Sequence, residues 1–245
     1  MSTIITPFNW GEAQVVDLQK VLDSVTDILD SYFEDTINMD VLVDHNADIG
    51  PRVLFERGPN NEYQVKLSTK DRVWDQHAYQ FSHEYCHIRT NYNNGNQKCK
   101  WFEETICELA SLFTLRRMAE NWAVSPPYQL WRSYGKSLFK YAEDRIIDDK
   151  HKLPAGLDFY TWFGANLADL EKDQYIRESN TLIAIELLNL FEKNPKLWVA
   201  MKYFNTWNIS ESDDIFSSFT KWLEVVPDEL ESCVVKLVDV FKTKA

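Results

Sequence analysis

The sequence predicts an α+β protein that is mainly helical, with a small antiparallel or mixed sheet near the N-terminus and a helical C-terminal part. Three observations carry that reading. Short β-prone runs cluster between residues 39 and 68. From residue 72 almost to the end, apolar residues recur at intervals of three and four, the period of helices with one buried face. At 245 residues the chain can bury a substantial core with elaborations.

In chain order, residues 12–35 place Val15, Leu18, Leu22, Val25, Leu29 and Tyr32 on one stripe, which predicts an amphipathic helix. Residues 39–43 and 52–55 read as short strands. Gly58-Pro59-Asn60-Asn61 reads as a turn, because these residue types favour tight turn geometry. Beyond it Tyr63, Val65 and Leu67 alternate with Gln64 and Lys66, the period of a half-exposed strand over residues 63–68. Helices are predicted over residues 72–89, 100–122, 128–147, 173–193, 195–205, 212–224 and 228–242. Residues 91–96, with Gly95, separate the first two, and Ser125-Pro126-Pro127 stops the second. Residues 152–163 hold Pro154 and Gly156 and read as a loop. The expected division is therefore a first domain over residues 1–150 and a helical region over 151–245.

Charge and composition exclude several classes. The net charge of −12 argues against nucleic-acid binding and against docking on an anionic membrane, both of which need clustered Lys and Arg. The N-terminal residues lack a basic segment followed by an apolar run, so no secretory signal is expected, and no apolar stretch reaches membrane-spanning length. The four cysteines (Cys86, Cys99, Cys107, Cys233) form no CxxC pair, which fits reduced thiols and a cytoplasmic setting. Nine Trp point to a core rich in rings.

The chemistry concentrates at His83-Glu84-Tyr85-Cys86-His87. Residues four apart share a helix face, so His83 and His87 can offer two imidazole nitrogens to one ion. Glu84 is turned by about 100° from His83, beside the ion rather than on it, where a general base can take a proton from metal-activated water. Catalytic zinc takes three protein ligands and keeps one open position. The next helix offers Glu104, with Glu108 four residues on and facing the same way. Glu104 is the candidate third ligand, and Glu108 the candidate acceptor for the free ring N–H of a zinc-bound histidine. Glu103 is the alternative ligand if the helix phase differs by one residue. Position 90 is Thr90 and position 93 is Asn93, so the HExxHxxGxxH pattern is absent, and so is an inverted HxxEH.

His83-Glu84-x-x-His87 followed by Glu103-Glu104-Thr105-Ile106-Cys107-Glu108 resembles the gluzincin metallopeptidases, over about residues 63–117. In thermolysin-like members a second helix supplies a glutamate ligand and, four residues later, an acidic supporting residue, which Glu104 and Glu108 match. Glu103 stands where those members have Asn. Sixteen residues separate His87 from Glu104, a shorter connection than in thermolysin-like enzymes, and the compact site also resembles small gluzincins and HExxH proteins of the ImmA/IrrE type, over the site alone. The resemblance implies a zincin-like core, Zn²⁺ as cofactor, peptide or protein substrates, and an edge strand that binds substrate in extended form, here Tyr63, Val65 and Leu67. It implies hydrolysis by metal-activated water with Glu84 as base. The other reading is a non-catalytic zinc-binding module for interaction or sensing.

Other residues are expected to be structural. Cys86 lies off the histidine face and reads as a small core residue. His45 and His77 read as packing or surface histidines, and Cys99 and Cys107 have no recognised metal spacing. Tyr92, Tyr128, Tyr134, Tyr160 and His151 are the candidates for oxyanion stabilisation. Arg116 and Arg117 are expected in surface ion pairs.

Overall fold

The computed structural model describes residues 2–93, 97–208, 210 and 212–242. The predicted break at 91–96 therefore falls partly outside the described residues. The chain forms two compact units, one of Met1–Ile88 with Ala110–Arg145, the other of Arg89–Leu109 with Ile146–Ala245. They interleave in sequence, so a single cut at residue 150 follows the chain but not the packing. Both are rich in helix, and the fold is α+β, mainly helical.

The first unit holds the sheet. Its strands are β1 (Thr3–Ile5), β2 (Val41–His45), β3 (Arg52–Val53) and β4 (Tyr63–Leu67), in the order β1-β2-β4-β3. β1 and β4 run parallel to β2, with Ile5 opposite Val43 and Val43 opposite Val65, while β3 runs antiparallel to β4. The sheet is thus mixed. Ile5, Val41, Val43, Val65 and Leu67 are buried, alternating along their strands with more exposed neighbours, as a sheet with one core face requires. A parallel pair needs a crossover, and α1 (Val15–Phe33) is the one between β1 and β2. Its buried residues Leu18, Val21, Leu22, Val25, Ile28, Leu29 and Phe33 keep the predicted spacing. β1 has no signal of its own: three residues are too few to show a period.

The turn ahead of β4 forms as the sequence suggests. Asn61 adopts φ 67°, its N–H donates to Gly58 O at 3.0 Å, and Gly58 N–H donates to Glu62 O at 2.9 Å. β4 itself corrects one expectation. It is an inner strand between β2 and β3, and Leu54 N–H extends the β3 side by donating to Gln64 O at 2.8 Å. Val65 and Leu67 are fully buried in the core, and Tyr63 lies under the Arg57 guanidinium at 3.3 Å. Tyr63, Val65 and Leu67 do not form the exposed edge that an extended substrate would join.

Behind β4 comes α2 (Trp74–Arg89), whose start is tied to the N-terminal segment. Trp10 O accepts from Asp71 N–H at 2.9 Å, and Asp71 Oδ1 accepts from Glu12 N–H at 2.8 Å. Gly11 sits between them at φ 65°, and a Cβ there would lie 2.1 Å from Asp71 Oδ1, so only glycine fits. His77 closes this junction: Nδ1 lies 2.7 Å from Thr69 Oγ1 and Nε2 3.0 Å from Asp71 O. Trp10 meets the rings of His45 and His77 edge-on at 5.5 and 5.9 Å.

α3 (Lys100–Val124) is one unbroken helix that contributes residues to both units. It is buried on nearly every face, which explains why its sequence shows little amphipathic contrast. The predicted helix over 128–147 is a 3₁₀ turn, Gln129–Tyr134, that leads directly into α4 (Gly135–Ile147). Trp131 of that turn lies 5.3 Å from Trp74 and 5.4 Å from Trp122, ring centre to ring centre.

The second unit adds α5 (Phe159–Lys172), α6 (Arg177–Lys193), α7 (Lys196–Met201), α8 (Ile215–Val225) and α9 (Asp228–Lys242). Its core is aromatic: Phe102, Phe163, Phe219 and Phe241 meet at ring distances of 4.9–5.8 Å. α5 begins inside the stretch read as a loop. Asp158 caps it by accepting from Thr161 N–H at 2.9 Å, a start signal that the nearby Pro154 and Gly156 obscure. Among the described residues no helix is long and apolar enough to cross a membrane.

His77 makes stability depend on pH. Burial, then the neighbouring His45 charge, lowers its pKa from 6.5 to about 4. The unfolded chain therefore binds the extra proton first, and stability present above pH 6.5 is lost as pH falls toward 4. Across that window His77 should account for a loss of about 3 kcal/mol. Denaturant midpoints measured from pH 7 to 4.5 should fall less steeply in His77→Gln than in the wild type. Equal slopes would remove His77 as the cause.

Candidate metal centre

The site grows out of the two-sided character of α2. Trp74, Ala78, Phe81, Tyr85 and Ile88, spaced by four and three, form an apolar stripe that is buried. Tyr85 Oη donates to Asp30 Oδ1 of α1 at 2.6 Å. His83 and His87 each follow Phe81 and Tyr85 by two residues, about 200° around the helix. Fixing the apolar stripe thereby turns the imidazoles to the opposite side. Their rings lie 5.0 Å apart, edge to face. His83 is half-buried and His87 buried, while Glu84 between them is only 4% exposed.

α3 brings a third group to the pair. Ser111 Oγ donates to Tyr79 O of α2 at 2.9 Å, a buried bond that fixes one helix against the other. His83 is four residues on from Tyr79, and Cys107 is four residues back from Ser111. Each step is about 6 Å along its own helix. His83, His87 and Cys107 form a group that could hold a metal ion: one ligand atom from each lies within 4.8 Å of the others. In a tetrahedral zinc site such donors stand about 3.3–3.6 Å apart, so binding requires them to close by up to about 1.5 Å. Side-chain rotation supplies movements of that size.

Glu104 is half-buried and falls outside this group, one helical turn before Cys107 on α3. Glu103 is turned to other work: its Oε2 accepts from Asn205 Nδ2 at 2.9 Å, and the same amide reaches Thr90 O at 3.2 Å. Glu108 is buried and its Oε1 accepts from Thr181 Oγ1 at 3.1 Å. Cys107 was the residue that spacing rules passed over. Its signal was available, because three residues from Glu104 is one turn, hence the same helix face.

Most other candidates have structural surroundings. His45 and His77 are buried at the Trp10 junction. Cys86 is fully buried, and Cys99 lies 3.3 Å from Ser218 Oγ. Burial raises the Cys99 thiol pKa to about 11. Tyr134 is pushed up to about 12 by burial and then by Asp75 beside it, which ties it to the start of α2. Tyr128 packs edge-on against Trp131 at 4.9 Å. Tyr160 is largely exposed, and His151 ends a 3₁₀ turn, Asp149–His151. Arg116 pairs with Glu143, and Arg117 with Glu120 at 2.8 Å. A polar groove of about 620 Å³ lies between α1 and the end of α3, lined by residues such as Asp23, Asp27, Arg117 and Trp122, and it includes none of the metal-site residues.

Comparison of the chain with protein-family models, with characterised proteins and with solved structures gives no match in any of the three.

Proposed function

We propose that the chain is a zinc-dependent peptidase with a zincin-like core, acting in the cytoplasm on peptide or protein substrates. His83 and His87 hold the ion together with a donor from α3, and Glu84 is the general base. The observation that supports it best is the convergence of His83, His87 and Cys107 within 4.8 Å, with the two histidines on the helix turn that also carries the buried Glu84. The gluzincin-like pattern assigns the α3 donor to Glu104. That residue is three positions before Cys107, about 4.5 Å along the axis, a span within reach of a glutamate side chain.

When bound, zinc supplies Lewis acidity: it makes water a stronger acid and polarises a carbonyl oxygen. The protein's part is proton transfer and shielding. Glu84 takes a proton from the attacking water on a carboxylate oxygen and delivers it to the leaving amine. Its burial keeps bulk water from competing for that proton. Glu108, with one oxygen engaged by Thr181, is proposed to steady a histidine ligand through the other.

Cys107 also favours a second reading. Two imidazoles, a thiolate and Glu104 would complete four protein ligands, the closed shell of a structural zinc site. The chain would then be a non-catalytic zinc module.

Protein purified without a histidine tag should carry close to one zinc per chain, and His83→Ala or His87→Ala should abolish this. Glu84→Gln should keep the zinc and lower hydrolysis of an unfolded protein substrate by at least about 100-fold, the low end of general-base contributions. Zinc loss in Glu84→Gln would instead make Glu84 a ligand and end the proposed mechanism.

Chelation separates the two readings. For the catalytic centre, removing zinc should abolish activity, restorable by zinc, while the far-ultraviolet circular dichroism stays helical. Global unfolding on chelation is the outcome for a structural site, whose binding energy is folding energy.

A further inference from the structure

We propose that Cys107, as a thiolate, is the third ligand from α3, making the centre a His₂Cys site selective for zinc and similar thiophilic cations. This deepens the metallopeptidase reading and takes from it only the presence of a bound ion.

Position is the first reason. The Cys107 sulfur already lies within 4.8 Å of an imidazole nitrogen from each histidine, and Glu104 is not a member of that group. Cysteine has one side-chain torsion ahead of its donor atom, so the helix backbone sets where the sulfur goes. Glutamate must order three torsions to deliver an oxygen. Both Cys107 and the adjoining backbone are buried, on a helix held to α2 by the Ser111–Tyr79 bond.

The other candidates are differently placed. Glu103 is bound by Asn205, and Glu108 by Thr181. Cys86 is turned about 100° from His87 on α2. Cys99 is beside Ser218, and Cys233 donates to Leu230 O at 2.9 Å.

Chemistry is the second reason. A thiolate with two imidazoles is a soft, nitrogen-and-sulfur donor set that suits zinc and disfavours Mg²⁺, Ca²⁺ and Mn²⁺, which prefer oxygen. Three protein ligands still leave one position for water. Glu104, one turn from the sulfur, is then left beside the centre rather than in it.

The test is cobalt substitution of the full chain. Co²⁺ bound one per chain should give a near-ultraviolet thiolate-to-cobalt charge-transfer band. Cys107→Ser should lose the band and weaken zinc binding more than about 100-fold, the most that a residue merely supporting a ligand costs. Glu104→Gln should keep the band. Cys107→Asp, which restores a donor, should bind cobalt without the band and guards against a misfolded serine variant.

Cobalt bound without a thiolate band, or a band that persists in Cys107→Ser, would overturn the ligand assignment while leaving the metallopeptidase reading intact. No cobalt or zinc bound by the wild type would overturn both.

Discussion

The rotational phase of α2 is the constraint on which the rest depends. Its apolar stripe fills the first unit's core, and Tyr85 adds a hydrogen bond to α1. A fully buried aromatic or aliphatic side chain stabilises the fold by roughly 1.5–3 kcal/mol. Four such positions on one stripe, Trp74, Phe81, Tyr85 and Ile88, outweigh any preference the histidines have for solvent. The helix cannot roll by one residue, about 100°, without exposing that stripe. Once Trp74, Phe81 and Tyr85 are seated, His83, Glu84 and His87 have no choice of direction. The polar side of α2 is organised by its apolar side.

That polar side is buried too, which changes what its groups must do. A carboxylate moved out of water costs several kcal/mol unless partners compensate. Glu84, at 4% exposure, sits between the two histidines along α2. A divalent cation among those donors would offset the charge of a thiolate and of Glu84 together. Donor convergence and a buried carboxylate would thus be accommodated by the same occupant.

The elements that could be read from sequence were those with a long period or an unambiguous stop. Six evenly spaced apolar residues announce α1, and the Gly58–Asn61 turn and the alternation at Tyr63, Val65 and Leu67 announce β4. β1 is too short to show alternation, and its strand character comes from its parallel pairing with β2. α5 was hidden because Pro154 and Gly156 look like a linker, whereas the Asp158–Thr161 cap is a local signal only two residues further on. The inner position of β4 was not readable either, since strand order depends on where β3 returns. The histidine pair was legible because a helix converts spacing directly into direction. The place of Cys107 in the same group was not, because spacing along the chain does not say which residues of α3 come near those of α2.

Glutamate and cysteine each bring one negative charge to a divalent ion, so exchanging them leaves the formal charge of the centre unchanged. Under the proposed mechanism hydrolysis would survive with either, because three protein ligands leave an open position in both cases. What changes is how tightly the protein dictates geometry. A sulfur one torsion from the helix backbone arrives preplaced, while a carboxylate on a three-torsion arm must be ordered on binding, at a cost that falls on metal affinity. With α3 enclosed on nearly every face, the short, rigid donor is the one its environment can hold still. A buried helix that carries a thiol toward two imidazoles spends little further entropy to complete a metal shell, and selection of the ion follows from the sulfur rather than from the shape of a pocket.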